Sequence, residues 1–276
     1  MRKLLRANFT RLIKNKLFWI LMALEFVMGV GLPVLHYLDN QNANGEWTLD
    51  ACIFSYAMFV PILLSALAAL FIGSEYSDGT MRNKLIVGHR RSNIYMADLI
   101  AVIAAGFLLC LAYIVPHICL AFPLLGWFTS DMKKIMVFML VIFALVVAFA
   151  AIYTIIAMLC SNKAYSVASC ILLTFILLFA GIRINAALNE PEIFSAYSYT
   201  ENGVTIQEDE SRNPNYVSGT KRQIYEFLNE LLPGGQVLTL NTMEAEHPVR
   251  LAIYDGIIVI FTVGCGVFVF RHKDLK

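Results

Sequence analysis

The sequence predicts an all-α integral membrane protein with six transmembrane helices. Its 276 residues are 59% hydrophobic and only 15% charged, and the mean hydropathy is +0.68. A soluble domain typically carries about 25% charged residues. The apolar residues lie in long uninterrupted runs, as is typical of helices surrounded by lipid. These observations exclude an ordinary soluble fold, and the net charge of +1 gives no indication of nucleic-acid binding.

Residues 1–16 are predicted to form a short amphipathic elbow helix before the first span. Leu5, Phe9 and Leu12 share one helical face, while Arg6 and Arg11 lie off it. The apolar run that follows is too long for the core of a secretory signal. We therefore expect this helix to lie in the membrane interface, with its cations near anionic headgroups.

Six apolar runs follow, each suited to crossing about 30 Å of hydrocarbon. They cover residues 17–38, 51–73, 94–128, 135–160, 164–182 and 251–270. The third run is too long for one straight crossing. Because proline lacks an N–H and crowds the preceding turn, Pro116 and Pro123 should kink this run or break it into a helix and a re-entrant segment.

The distribution of positive charges indicates which ends of the spans face the cytoplasm. Lysines and arginines are concentrated in residues 1–16, in the 74–93 loop, at Lys163 and in the C-terminal tail, whereas the 39–50 loop has none. Among the short loops, only the one with Lys133 and Lys134 places positive charge on the opposite side. The pattern predicts a multi-pass protein of the cell membrane with both termini in the cytoplasm.

The one large polar region, residues 183–250, should then lie outside the cytoplasm, and residues 251–276 form the last span and tail. Within this region, Thr220–Leu232 is predicted to form a short amphipathic helix, with Thr220 and Gln223 at capping-box spacing. Pro233-Gly234-Gly235 should end that helix.

Motifs of nucleotide or metal chemistry are missing from the sequence. The P-loop pattern GxxxxGK[ST] does not occur, so an ATP-driven process would need an ATPase on another chain. The six cysteines lie within or beside apolar runs, which indicates packing between helices rather than a disulfide or metal site. We expect the chain to be no enzyme and to hold no metal or cofactor of its own.

A few polar residues fall inside the predicted spans. Glu25 is either a substrate or proton site or a hydrogen-bonding partner between helices, and the sequence leaves both open. His117 should bond a backbone carbonyl that Pro116 leaves free. Asp98 and Asp255 lie near span ends, where we expect them to face water.

The stretch Gly73–Asn93, GSEYSDGTMRNKLIVGHRRSN, is a polar interruption between the second and third spans. Glu75, Asp78, Arg82 and Lys84 would place both signs of charge on a short helix, whose start the Gly79-Thr80 pair permits. Such a helix could fit a groove on a soluble partner. The alternative is a solvated loop that is basic only because of its topology.

The segment from Glu75 to Ile100 resembles the loop of ABC-2-type transporter permeases between their second and third spans. Its residues follow the pattern E-x-x-x-G-T-x-[RK], with matches at Glu75, Gly79, Thr80 and Arg82. The basic N-terminal helix is similar to the elbow helix of these permeases. The span count and the outer helix before the last span are similar as well, although the 183–250 region is longer than in the minimal pattern. The resemblance extends to permeases for peptide-antibiotic or lantibiotic resistance.

The resemblance implies a transport subunit that pairs with a second permease, either identical or homologous. Two ATPase subunits, which bind ATP and Mg, would sit beneath the pair. Residues 75–93 would be the coupling helix, and the 161–166 turn would make a second, smaller contact. ATP-driven motion would then export a hydrophobic or amphipathic substrate, such as a peptide antibiotic or a lipid-like molecule.

Two other functions remain open at this point. The first is a secondary transporter or channel that works without an ATPase and uses Glu25 as its ion or proton site. The second is a membrane-embedded sensor or enzyme built around the 183–250 region, although no catalytic constellation occurs there.

Overall fold

The computed structural model confirms an all-α membrane architecture, and the residues that it describes include six helices long and apolar enough to span a bilayer. It describes residues 1–42, 47–194, 197–201, 204–208 and 210–273. The potential spans are α2 (Lys16–Asn42), α3 with α4 (Leu49–Cys52 and Tyr56–Ser77), α6 (Arg91–Leu125), α7 (Met132–Leu159), α8 (Lys163–Leu188) and α11 (Pro248–His272). The shorter helices are α1 (Arg2–Lys14), α5 (Thr80–Ile86), α9 (Gly219–Leu231) and α10 (Pro233–Asn241). The predicted 39–50 loop falls partly on residues 43–46, outside the described ranges.

The bundle has two ends, which we call the α5 end and the α9 end after the short helices found there. The start of α6 and the end of α11 meet at the α5 end, where Arg91 Nη1 donates to the carbonyl oxygen of Phe270 at 3.0 Å. Lys273 Nζ donates to the carbonyl oxygens of Met158 and Leu159 at 2.8 Å each, which satisfies the last turn of α7. Burial lowers the pKa of the Lys273 ammonium.

The central helices of the bundle are α4, α6 and α7. More than half of the most apolar stretch of each is buried, against less than a third for α2, α8 and α11. The outer helices present large apolar side chains outward, among them Val27, Phe179 and Ile260. This arrangement suits a lipid surround, because the hydrocarbon tails of lipids accept apolar side chains without cost.

Helix α6 corrects one expectation, because it runs unbroken through Pro116 and Pro123 for 35 residues. Helix α2 packs closely against it at Gly29, where an added Cβ would lie 2.5 Å from the carbonyl oxygen of Tyr113 and 3.1 Å from Cγ of Pro116. A neighbouring helix that packs this closely supports the backbone around a proline. The predicted re-entrant segment is therefore wrong.

The α9 end contains more structure than the one predicted helix. Strands β1 (Ile193–Phe194) and β4 (Ser211–Arg212) pair antiparallel, and so do β2 (Tyr197–Glu201) and β3 (Val204–Glu208). The capping prediction is also wrong, because Ser218 rather than Thr220 precedes α9 and its side chain makes no capping hydrogen bond.

The helix before Pro233-Gly234-Gly235 ends where the sequence predicts, but a second helix begins there at once. Helix α9 ends at Leu231, and Pro233 then begins α10, a position where its missing N–H is not needed. Gly234 and Gly235 are both buried inside α10, where Gly234 touches the backbone of α8 at Leu177 and Gly181. Beyond ending α9, the sequence therefore allows a close contact between α10 and α8 at its two glycines.

Candidate functional site

The segment predicted as one coupling helix over 75–93 consists of three pieces. Glu75 belongs to the last turn of α4, the short helix α5 covers only Thr80–Ile86, and α6 begins at Arg91. Gly79 adopts φ +67° immediately before α5, a conformation that glycine reaches without strain. The expected helix start at Gly79-Thr80 is thus confirmed, but Glu75 and Asp78 precede the helix rather than lie on it.

Five polar side chains from four helices meet beneath α5, and we call them the charge cluster: Asn8, Arg11, Glu75, Lys84 and Asp98. Arg11 pairs with Glu75 Oε1, and Lys84 Nζ lies 2.5 Å from the same oxygen. Asn8 Nδ2 donates to Asp98 Oδ1 at 2.5 Å, and Lys84 Nζ lies 3.6 Å from that oxygen. Lys84 Nζ also donates to Asn8 Oδ1 at 3.3 Å.

The charge cluster contains equal numbers of positive and negative side chains and is almost fully shielded from solvent. Glu75 and Asp98 are fully buried, and the side chains of Arg11 and Lys84 are only 31% and 14% exposed. The Arg11 guanidinium also lies 3.7 Å from the centre of the Phe71 ring. Two carboxylates thus face two cations, the condition under which buried charges are tolerated. Asp98 does not face water as predicted, because α1 and α5 cover the start of α6.

None of the described residues covers the other side of α5. Asp78, Thr80 and Arg82 are exposed there, and Ile86 and Val87 are 74% and 76% exposed. Met81, by contrast, is buried, and Lys84 points into the charge cluster. Helix α5 is therefore anchored on one face and offers both charge and apolar surface on the other.

The turn predicted as a second contact lies at the same end as α5. Asn162 Oδ1 accepts from the backbone N–H of Ala164 at 2.8 Å and so caps the start of α8. The turn packs against α4, where a Cβ on Gly73 would lie 3.1 Å from Cα of Lys163. Tyr165 beside it is 71% exposed.

The polar residues inside the spans stand apart from this site. Glu25 is fully buried in α2, and both its carboxylate oxygens lack a hydrogen-bond partner within the described ranges. His117 Nε2 lies 3.4 Å from Cys52 Sγ, and its ring stacks on Tyr113. Asp255 is 1% exposed rather than facing water, because its side of α11 packs into the bundle.

Sequence reasoning missed three members of the charge cluster, namely Asn8, Arg11 and Asp98. Asn8 and Arg11 are one turn apart on α1, and such a pair faces the same way on a helix. Asp98 lies near the start of the third apolar run, among apolar residues, where a carboxylate needs a partner. These two features together could have predicted that α1 covers Asp98.

Comparison with known families agrees with this architecture. A family model described as "ABC-2 family transporter protein" matches residues 4–181, which include most of α1, the charge cluster, α5 and the turn before α8. A search of curated proteins gave no match. Permeases of this family generally pair with ABC ATPase subunits. The match covers well over half of the chain, and the protein therefore belongs to the ABC-2 family of transporter proteins and is a membrane component of an ABC transporter.

Proposed function

We propose that this chain forms the membrane pathway of an ABC exporter, with the α5 end in the cytoplasm and α5 seated in a groove of a separate ATPase. The observation that carries this proposal is the two-sided character of α5. Its outer face exposes Arg82 and Ile86, and Val87 directly after it is exposed as well. Met81 and Lys84 fix its inner face to the bundle. An ATPase bound to the outer face of α5 could therefore move the helices of the bundle that are attached to its inner face.

The charge cluster supplies the route for that motion. It joins α1, α4, α5 and α6 through side chains that are buried and paired, so that a push on α5 moves the ends of two spans and the N-terminal helix together. Gly79 at φ +67° and Gly88 at φ +91° flank α5. Glycine tolerates backbone changes that other residues resist, which suits the two joints of a lever.

The same proposal includes the assembly and the substrate. Two permeases, identical or homologous, pair in the membrane above two ATPase subunits that hold ATP and Mg. The 161–166 segment, with exposed Tyr165 in the first turn of α8, makes the second contact. The export of a hydrophobic or amphipathic molecule, such as a peptide antibiotic or a lipid-like compound, fits a pathway built from apolar helices. The location is the cell membrane, with both termini in the cytoplasm.

The test is reversal of charge at the exposed face of α5. Because like charges at an interface cost several kcal/mol, Arg82→Glu should lower substrate transport about tenfold while the ATPase still hydrolyses ATP. Transport and hydrolysis are measured together in vesicles that contain the complete complex. Arg212→Glu makes the same charge change on a residue 79% exposed at the α9 end and should leave both rates unchanged.

Two results would contradict the proposal. One is normal coupled transport by the Arg82→Glu complex. The other is reaction of an Arg82→Cys side chain with a membrane-impermeant thiol reagent added outside intact cells, because α5 would then lie on the wrong side of the membrane.

One observation favours a second candidate, the ATPase-independent transporter that uses Glu25. A fully buried carboxyl group whose oxygens lack a partner within the described ranges is a candidate ion site. Under the exporter proposal, Glu25→Gln keeps the shape of the side chain and should change ATP-driven transport less than twofold. Flux that needs only a proton gradient, and that Glu25→Gln abolishes, would instead establish the second candidate.

A further inference from the structure

Helix α9 exposes its apolar side and buries part of its polar side. Ile224 and Phe227 are 52% and 46% exposed, and Leu231 lies on the same helical face. Asn229, on the opposite face, is only 7% exposed. An amphipathic helix on a protein surrounded by water does the reverse, because its apolar stripe faces the core. The medium outside Ile224 and Phe227 should therefore be apolar.

The polar side of α9 is attached to the rest of the protein, which fixes the direction that the apolar side faces. Asn229 lies against α10, where a Cβ on Gly235 would be 2.5 Å from Asn229 Oδ1. Gln236 Nε2 donates to the carbonyl oxygen of Glu230 at 2.8 Å, and Arg250 Nη2 pairs with Glu230 Oε2 at 2.5 Å. Since α10 itself packs against α8, these contacts hold α9 to the bundle.

The apolar side of α9 reaches the apolar part of a span. The ring centre of Phe227 lies 6.1 Å from that of Tyr254, in an edge-to-face arrangement. Tyr254 is in the second turn of α11, inside the apolar run 251–270. Ile253 and Ile257 on α11 are 59% and 54% exposed. The apolar side of α9 therefore continues the lipid-facing surface of α11.

Side chains typical of a membrane interface accompany this apolar side. Lys221 is exposed, and its Nζ lies 5.5 Å from the centre of the Tyr225 ring. The Arg222 guanidinium lies 5.8 Å from the centre of the Tyr216 ring. Lysine, arginine and tyrosine combine an apolar body with a polar end, so they suit the boundary between hydrocarbon and water. Helices with this pattern lie in the plane of the interface, with the apolar face about 5–10 Å deep.

We propose that α9 is an interfacial helix that docks on the phospholipid leaflet at its end of the bundle, with Ile224 and Phe227 among the acyl chains. Lipid rather than a second protein is the occupant of this face, because the face is continuous with the lipid-facing surface of α11. The proposal holds for either orientation of the chain in the membrane and needs no ATPase. Its failure and the failure of the exporter proposal are therefore distinguishable.

The experiment measures where a fluorescent amino acid lies in the full chain, in phosphatidylcholine nanodiscs. Acridonylalanine replaces Ile224, Phe227 or, as the control, Arg212, which is 79% exposed at the same end of the bundle. One quencher is a phosphatidylcholine with a nitroxide near the start of its acyl chain, and the other is iodide in the water. We expect the nitroxide to quench positions 224 and 227 about threefold more than position 212, and iodide to show the reverse order.

A pair of charge substitutions tests the apolar face directly. Ile224→Asp places a carboxylate among the acyl chains, which draws the helix toward water. This change should lower nitroxide quenching of the fluorophore at position 227 about twofold. Gln223→Asp adds the same charge at an exposed polar neighbour on α9 and should leave the quenching unchanged.

Two outcomes would overturn the proposal. Iodide quenching at positions 224 and 227 as strong as at position 212 would place the apolar face in water. Weak quenching of both positions by both agents would mean that a protein surface, such as a second copy of this chain, covers the face. If Ile224→Asp fails to fold, the quenching of the three labelled positions still decides between these outcomes.

Discussion

Glu75→Gln is expected to destabilise the protein by about 3 kcal/mol, because breaking a buried ion pair leaves charges without partners. Glu75 is fully buried, and its Oε1 contacts both Arg11 and Lys84. Glutamine keeps the shape of the side chain but removes the charge that holds the two cations in place. Thermal unfolding of the detergent-solubilised chain measures the loss, and we expect transport by the full complex to fall with it.

Two comparisons make this result specific to the charge cluster. Glu192→Gln makes the same change on an exposed residue at the α9 end and should shift the unfolding temperature very little. Adding Lys84→Met to Glu75→Gln removes one of the unpaired cations and should restore part of the lost stability. An unfolding temperature for Glu75→Gln equal to that of the unmodified chain would show that the cluster does not hold these helices together.

Gly234→Ala should destabilise the protein by about 3 kcal/mol or more, although alanine normally favours a helix by about 1 kcal/mol over glycine. A Cβ on Gly234 would overlap the carbonyl oxygen of Leu177, a backbone atom of α8 that cannot rotate away. The α10 helix would have to separate from α8. Unfolding temperature and the yield of monodisperse protein measure the effect.

Helix α11 offers matched controls for this substitution. Gly256 and Gly264 are also helical, but an added Cβ at either position meets nothing within 4 Å. Gly256→Ala and Gly264→Ala should therefore be neutral or slightly stabilising. Equal effects of Gly234→Ala and Gly256→Ala would mean that the α8–α10 contact is not close.

The spans could be predicted because a segment that crosses the hydrocarbon core must be apolar along its length, which is a property of the local sequence. A run such as residues 135–160 must be apolar throughout to cross, whatever its neighbours are, and α7 (Met132–Leu159) follows that run closely. The predicted break at Pro116 and Pro123 was wrong, since whether a proline breaks a helix depends on the helix packed against it. That packing partner, α2 at Gly29, is distant in sequence.

The α9 end was the least predictable part of the fold. Asn202-Gly203 lies between two runs rich in Tyr, Thr, Val and Ile, which is a hairpin signal that the prediction passed over. The structure pairs the flanking strands, from Tyr197 with Glu208 to Glu201 with Val204. Pro233-Gly234-Gly235 is ambiguous by itself, because the same residues end one helix or start the next according to what packs on them.

The sequence identified the segment between the second and third spans as the candidate site. It did not show which of its residues face the bundle and which face outward. Glu75 and Arg82 belong to one local motif, and their spacing is visible in the sequence. That Glu75 turns inward while Arg82 turns outward depends on Arg11, a residue from a different helix. Local patterns identify such residues, whereas tertiary contacts decide their roles.

The charge cluster also constrains how this chain is made. Synthesis proceeds from the N-terminus, so Arg11 emerges 64 residues before its partner Glu75, and Asn8 emerges 90 residues before Asp98. Until Glu75 has been synthesised, Arg11 lacks the carboxylate with which it pairs in the folded chain. The contacts that hold α1 to α4, α5 and α6 can therefore form only after the second and third spans have been made.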